Sequence, residues 1–161
     1  MANIILTAIN ARYSHTSLGA RYLYANLGTL KASARICEFT LQDSPETIVD
    51  KLLEASPAVV AIGVYIWNRT LVEAVVARLR ETATSLPIIL GGPEIAYDTA
   101  SALARNATCV VSGEGEGVIE ALCDDAISGR PLPRIFPASP PPLSDIQLPY
   151  GDYTDKDLAH R

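Results

Sequence analysis

Apolar and polar positions along the chain follow two alternating patterns. Short, mainly apolar runs occupy residues 4–9, 34–39, 59–64, 88–90 and 109–111, and three of them are almost wholly apolar. Such runs are typical of strands that are covered on both faces. The segments between them place apolar residues at helical spacing, as at Leu23, Leu27 and Leu30. Strand and helix repeated five times predict a three-layer α/β/α domain with a five-stranded parallel sheet, in the flavodoxin-like (Rossmann-like) order 2-1-3-4-5.

Helix start signals agree with this pattern. Thr16 or Ser17 provides a cap for the first helix. The stretch Ser44-Pro45-Glu46 combines a capping hydroxyl, a proline at the first helical position and an early acid. Further helices are expected after Asn68 and over residues 99–105 and 117–127.

The composition changes after Gly129. Residues 130–143 contain six prolines, which provide no amide donors for a sheet or a helix. We therefore expect an extended linker that packs little. Residues 144–161 have no apolar core of their own. The predicted organisation is a domain at 1–128, followed by a Pro-rich linker and tail at 129–161 that lead toward a second domain.

Composition and charge restrict the function classes. The chain has 161 residues, 48% of them hydrophobic, and a net charge of −5, which gives no basic field for nucleic acid. No apolar run approaches the ~20 residues of a membrane span, and no leader pattern precedes the first strand. The three cysteines, Cys37, Cys109 and Cys123, are far apart in apolar stretches, as expected of reduced thiols in a cytoplasmic protein.

Candidate chemistry collects where the predicted strands end. Open parallel sheets bind ligands at the carboxyl ends of their strands. Glycines there let a ligand approach the backbone, and aromatic rings stack on flat molecules. Taken strand by strand, the candidate binding residues are Asn10, Arg12, Tyr13, His15, Ser17, Leu18, Tyr65, Ile66, Trp67, Asn68, Gly91, Gly92, Pro93, Glu94, Gly113, Glu114, Gly115 and Glu116.

Several of these residues also have a purely structural interpretation. His15 can hydrogen-bond its own loop, and Trp67 can close the rim of the helical layer. The paired glycines can serve a tight turn, and Glu114 and Glu116 can complement the positive end of the last helix. Their shared position at strand ends is what favours a ligand.

Three common functions of such sheets lack their signatures. The turn after the first strand has no glycine before Gly19, so a dinucleotide fingerprint is absent. The phospho-receiver positions carry Asn10, Tyr65 and Ser112 instead of acids and a lysine. Arg12 and its neighbours make the first turn too bulky for a flavodoxin-type phosphate loop. A large, flat, mostly uncharged ligand fits better than a nucleotide.

Four motifs in order carry a family resemblance. The stretches "NARYSHTSLGARYL", "GVYIWN", "GGPEIAYD" and "VSGEGE" together resemble the N-terminal cobalamin-binding domain of cobalamin-dependent radical SAM proteins, from residue 3 to about residue 127. The tail "LPYGDYTDKDLAHR" resembles the segment that leads into the radical SAM domain. The resemblance implies a cobalamin (vitamin B12) held at the carboxyl edge, with its nucleotide tail passing Gly91 and Gly92. It also implies an iron–sulfur cluster and S-adenosylmethionine in the domain beyond this chain.

The first turn departs from the pattern of the wider cobalamin-binding fold. That pattern is D-x-H-x-x-G, in which the histidine ligates cobalt and the aspartate orients it. Here Tyr13 stands two residues before His15, and Gly19 follows four positions after it. The resemblance thus marks His15 as the position of a cobalt ligand. The departure predicts that His15 is not a strong one. The resemblance also implies that Arg12, Tyr13 and Ser17 contact the corrin amides.

The sequence supports one main function and two alternatives. The main expectation is a domain that holds cobalamin for methyl transfer or related radical chemistry. With no cluster ligands, the chain alone is expected to catalyse nothing, whereas the full-length protein implied by the resemblance is a radical SAM enzyme. The alternatives are a non-catalytic docking module that has lost the cofactor and a small-nucleotide-binding domain.

Overall fold

A parallel sheet forms the centre of the molecule in the computed structural model, which describes residues 4–12 and 16–159 apart from the side chain of Lys156. Its strands are β1 (Ile4–Asn10), β2 (Ala34–Thr40), β3 (Val59–Gly63), β4 (Ile88–Gly91), β5 (Cys109–Gly113) and β6 (Ile135–Ala138). They lie in the order β2-β1-β3-β4-β5-β6, and neighbouring strands are parallel. The prediction of five strands is therefore wrong. A sixth strand lies beyond β5 and extends the predicted order.

Helices connect the strands and cover both faces. They are α1 (Leu18–Ala25), α2 (Pro45–Leu53), α3 (Arg69–Thr82), α4 (Ala102–Asn106), α5 (Ile119–Ile127) and, in the tail, α6 (Asp155–Ala159). Ser17, not Thr16, caps α1, because its hydroxyl accepts a hydrogen bond from the Ala20 amide. The first helix is shorter than expected. Gly28 has a positive φ of 51° and opens a separate 3₁₀ helix, Gly28–Ser33.

Two apolar clusters, one on each face of the sheet, form the core. One joins the sheet to α2, α3 and α4, and the other joins it to α5, with α1 side chains packed against it. Because both faces are covered, β3, β4 and the start of β5 are apolar at almost every position. The predicted three-layer α/β/α arrangement is present.

The Pro-rich segment contributes β6 instead of acting only as a linker. Phe136 packs against the α5-side cluster, and Arg134 donates hydrogen bonds to carbonyl oxygens at the end of α4, including that of Ala107 at 2.7 Å. Pro137 is tolerated because β6 is an edge strand, where a missing amide donor interrupts no second ladder. The domain boundary at residue 128 stays a prediction.

Residues 143–159, here called the docked tail, run over α1. Asn26 exchanges two hydrogen bonds with the backbone of Gln147, and the Lys31 ammonium lies 2.7 Å from an Asp152 carboxylate oxygen. Both contacts are at or beyond the carboxyl end of α1. The chain then turns back, so that α6 lies beside the amino end of α1.

Candidate functional site

On the sheet face that packs against α1 and α5, the side chains become smaller as the strands approach their carboxyl ends. Alternate residues of a strand share one face. On this face the series are Ile4, Leu6 and Ala8 in β1, Val59, Ala61 and Gly63 in β3, and Ile89 and Gly91 in β4. The opposite face keeps Ile9, Ile62 and Leu90 near the same edge. The small residues leave space under the helices on one side only.

This space is a cavity of about 560 Å³ at the carboxyl edge. The ends of β1, β3, β4 and β5 form its floor and one wall, and Gly19, Ala20 and Leu23 of α1 form part of another. Ile119 of α5 also lines it. Its volume lies within the ~300–1,000 Å³ typical of small-molecule sites. A lining that consists mainly of small and aliphatic side chains fits a flat, mostly uncharged group.

The rim of the cavity carries exposed apolar side chains. Tyr65 and Trp67 stack with ring centroids 4.5 Å apart and planes 7° from parallel. The Trp67 indole also donates a hydrogen bond to the Ile9 carbonyl over 3.3 Å. Ile66 is 80% exposed and Tyr97 is 95% exposed. A flat apolar ligand face would cover side chains that now contact water.

Asn68 organises the turn that carries this rim. Its side-chain oxygen accepts a hydrogen bond from the Tyr65 amide, and its side-chain nitrogen donates to the carbonyls of Ile9 and Gly63. The residue is buried. Asn68 therefore links the ends of β1 and β3 and holds the turn that carries Tyr65 and Trp67.

The Tyr65 phenol is held in its neutral form. Burial raises its pKa, and the negative charge of Glu116 raises it further. A neutral phenol can donate a hydrogen bond to a ligand group at the mouth of the cavity. Glu114 and Glu116 line the same mouth.

The paired glycines have different roles. Gly92 has φ +105°, and a Cβ there would lie 2.5 Å from the Val64 carbonyl oxygen, so the turn itself requires glycine. A Cβ on Gly91 would meet only Val111, at an ordinary contact distance of 3.9 Å, and would point into the cavity. Gly91 is thus the member of the pair whose small size serves the cavity.

The sequence-predicted residues fall into three groups. Those that line the cavity are Ser17, Tyr65, Gly91, Gly92, Pro93, Gly113, Glu114, Gly115 and Glu116. Those that lie at the same edge without lining it are Asn10, Arg12, Leu18, Ile66, Trp67, Asn68 and Glu94. Tyr13 and His15 lie outside the described residues, so the expectation that His15 is not a strong cobalt ligand stays a prediction.

Sequence reasoning missed the residues that create the cavity. Ala8, Ala61 and Gly63 lie inside apolar runs, and the lining residues of α1 lie inside a helical pattern. The available signal was the alternation within each strand. Sorting strand positions by face shows large side chains giving way to small ones on a single face.

Neither a cluster of metal-ligating side chains nor a membrane-spanning helix occurs in the described part of the chain. Within residues 4–12 and 16–159, no three histidine, cysteine or acidic side chains come together as a metal site. The helices found there are all too short or too polar to span a bilayer.

Two solved structures with a related fold are described as a cobalamin-binding protein and as a methanol:cobalamin methyltransferase complex. A novel cobalamin-binding protein from Desulfitobacterium hafniense DCB-2 is 18% identical, with a TM-score of 0.56 over 78% of this chain and 58% of that one. The methanol:cobalamin methyltransferase complex MtaBC from Methanosarcina barkeri gives 18% identity and a TM-score of 0.56 over 80% of this chain and 47% of its counterpart. The chain thus spans about half the length of these two proteins, and the likeness shows a shared fold.

Sequence comparisons give one family. No curated protein matches the chain. The family described as the B12 binding domain matches residues 4–123, which include β1 to β5 and nearly all of the cavity lining. Because this match covers most of the chain, the chain belongs to the family of B12 binding domains.

Proposed function

We propose that this chain holds a cobalamin at the carboxyl edge of its sheet and takes the nucleotide tail of the cofactor into the cavity. The observation that carries the proposal is the one-sided loss of side-chain volume, which opens a slot of about 560 Å³ between the strands and α1 and α5. Gly91 faces this slot with no atom nearer than 3.9 Å to its would-be Cβ. An inserted planar base needs such a gap.

Each part of the site has a distinct task in this proposal. Ala8, Ala61 and Gly63 make room for the inserted group, and the α1 wall keeps water from it. The neutral Tyr65 phenol donates a hydrogen bond at the mouth. The exposed rim residues, Ile66 and Trp67, would pack against the corrin. When bound, the cobalamin would supply methyl-transfer or related radical chemistry.

The enzyme served by this cofactor is proposed to be a radical SAM protein. The support is the order of the four sequence motifs and the resemblance of the tail to the segment before a radical SAM domain. That domain would be the protein partner and would hold the iron–sulfur cluster and S-adenosylmethionine. A natural reading frame that continues into a cysteine triplet would support the proposal. A natural chain that ends without one, and has no such partner, would contradict it.

A graded series at Gly91 tests cobalamin binding. Hydroxocobalamin is added to the purified chain, and retention after desalting is read from the visible spectrum, with affinity from titration calorimetry. Gly91→Ala should bind nearly as the wild type does. Gly91→Leu should weaken binding about tenfold or more, because extra methylene groups in a filled space cost about 1–3 kcal/mol.

The control is Gly151→Leu, since nothing lies within 4 Å of a Cβ at that tail position. Circular dichroism and thermal unfolding establish that each variant is folded. Gly92→Leu is unsuitable, because its side chain would collide with the Val64 backbone and disturb the fold itself. Full affinity in a folded Gly91→Leu would place the ligand elsewhere. A wild-type chain that retains no cobalamin would favour the docking-module alternative.

A further inference from the structure

A buried ion-pair network links the docked tail to the wall of the cavity. We propose that Glu38, at the end of β2, positions the amino end of α1, and that Asp157 of the tail holds this arrangement through Arg21. The tail then controls the shape of the cavity mouth. The structural part stands on contacts alone, and its effect on cofactor affinity rests on the proposed function.

Glu38 holds both ends of the segment that joins β1 to α1. Its Oε1 atom accepts a hydrogen bond from the Ser17 amide at 2.5 Å and another from the Asn10 side-chain nitrogen at 3.0 Å. Ser17 lines the cavity, and its hydroxyl caps α1. One carboxylate therefore fixes where the cavity wall begins.

Arg21 connects Glu38 to the tail. Its Nη2 atom lies 2.9 Å from a Glu38 oxygen and 2.7 Å from an Asp157 oxygen, and its Nη1 atom donates to the Ser17 carbonyl at 3.0 Å. The Tyr153 ring lies 4.8 Å from the guanidinium carbon. Arg21 is only 3% exposed. A cation so deeply buried depends on its two carboxylates, because removing one partner of a buried ion pair leaves charge that is poorly compensated.

Asp157 and Thr154 also hydrogen-bond to each other at the amino end of α6. Asp157 Oδ2 accepts hydrogen bonds from the amide and hydroxyl of Thr154, while Oδ1 faces Arg21. The tail thus presents a carboxylate that is already oriented. If that charge is lost, Glu38 is the one carboxylate of this pair that still faces Arg21, and we expect the hold on Ser17 to loosen.

The chain provides a matched pair of variants. Asp157→Asn removes the tail charge that reaches Arg21. Asp152→Asn removes a second tail ion pair, with Lys31 of the 3₁₀ helix that lies beyond the carboxyl end of α1. Thr154→Ala removes the hydroxyl contacts with Asp157 but keeps the backbone amide that donates to Asp157 Oδ2, and it leaves the Arg21 contact. Hydrogen exchange of the Ser17 and Ala20 amides is measured in the chain without cofactor, and hydroxocobalamin affinity is measured separately.

We expect Asp157→Asn to speed Ser17 exchange and to weaken cobalamin binding, each by about tenfold, within the 5–150-fold range of typical coupling between sites. Asp152→Asn and Thr154→Ala should change both by less than about twofold. Glu38→Gln should act at least as strongly as Asp157→Asn on Ser17 exchange. Equal effects of Asp157→Asn and Asp152→Asn would overturn the proposal. If the wild type binds no cobalamin, the proposed function fails, while the exchange comparison still decides whether the network operates.

Discussion

Thr7, in the middle of β1, is a polar residue whose hydroxyl has no hydrogen-bond partner among the residues that the structure describes. The residue is 3% exposed. Strand alternation places it with Ile5 and Ile9, on the face toward α2 and α3. We expect Thr7→Val to raise the free energy of unfolding by about 1 kcal/mol, because an unsatisfied buried hydroxyl costs about 1–3 kcal/mol. Urea unfolding monitored by circular dichroism measures the change.

Thr108 offers the matched comparison. Its hydroxyl accepts a hydrogen bond from the Ile88 amide at 2.9 Å and one from Arg80 at 2.8 Å. The same exchange, Thr108→Val, should lower stability by about 1 kcal/mol or more, because two donors lose their acceptor. If both variants shift stability in the same direction, hydrogen bonding does not decide the effect at either site.

Some residues of the candidate site could be predicted from the sequence and others could not. Strand ends are visible in the sequence, so Ser17, Gly91 and Glu114 were predicted at the site and do line the cavity. The Arg21–Glu38 pair was not predictable, because its partners are 17 residues apart and Asp157 is 136 residues from Arg21. Only the fold brings such residues together.

At the scale of elements, β6 is the main departure from expectation. Six prolines near one another indicate a linker, yet residues 135–138 still alternate an exposed Ile135 with a packed Phe136. Four residues are too few for a periodic signal to stand out from that background. The first five strands were predictable because each is an apolar run between recognisable helix signals.

Truncation tests the contribution of β6. A chain that ends at residue 142 keeps β6 and loses the docked tail, whereas a chain that ends at 129 also uncovers β5. The shorter chain should be less stable than the longer one by about 2 kcal/mol or more, because burial of one large apolar side chain is worth about 1.5–3 kcal/mol. Urea unfolding of both chains provides the comparison. Equal stability would mean that β6 adds nothing to the core.

At the scale of the whole molecule, charge holds the tail against the domain. Burial opposes the charged form of Asp157, but hydrogen bonds from Thr154 and the nearby Arg21 outweigh it, so the pKa of Asp157 is lowered. A lowered folded-state pKa contributes stability above the unfolded-state value, ~3.9 for Asp, and the contribution is lost as pH falls through the folded-state pKa. The tail should therefore be released in acid.

Unfolding free energies measured from neutral pH down to about pH 3 test this prediction. The difference in stability between the wild type and Asp157→Asn should be largest near neutral pH and should shrink below about pH 4. Burial alone would lower the pKa of Arg21, but the nearby carboxylates of Glu38 and Asp157 raise it by more. Arg21 therefore stays charged throughout this range. A difference that does not change with pH would show that the charge of Asp157 is not what holds the tail.

The one-sided cavity has a further consequence for how such a domain can change its ligand preference. The strands set its depth, because Leu6, Ile89 and Val111 line its floor. The next residue on the same face of a strand is two positions away, or about 7 Å, so a small residue there would deepen the cavity by about that distance. Its width is set separately by α1 and α5. Depth and width can therefore change independently, so a cavity for a thicker or a longer ligand can arise by substitutions in different elements, while the strand order and the opposite half of the core stay the same.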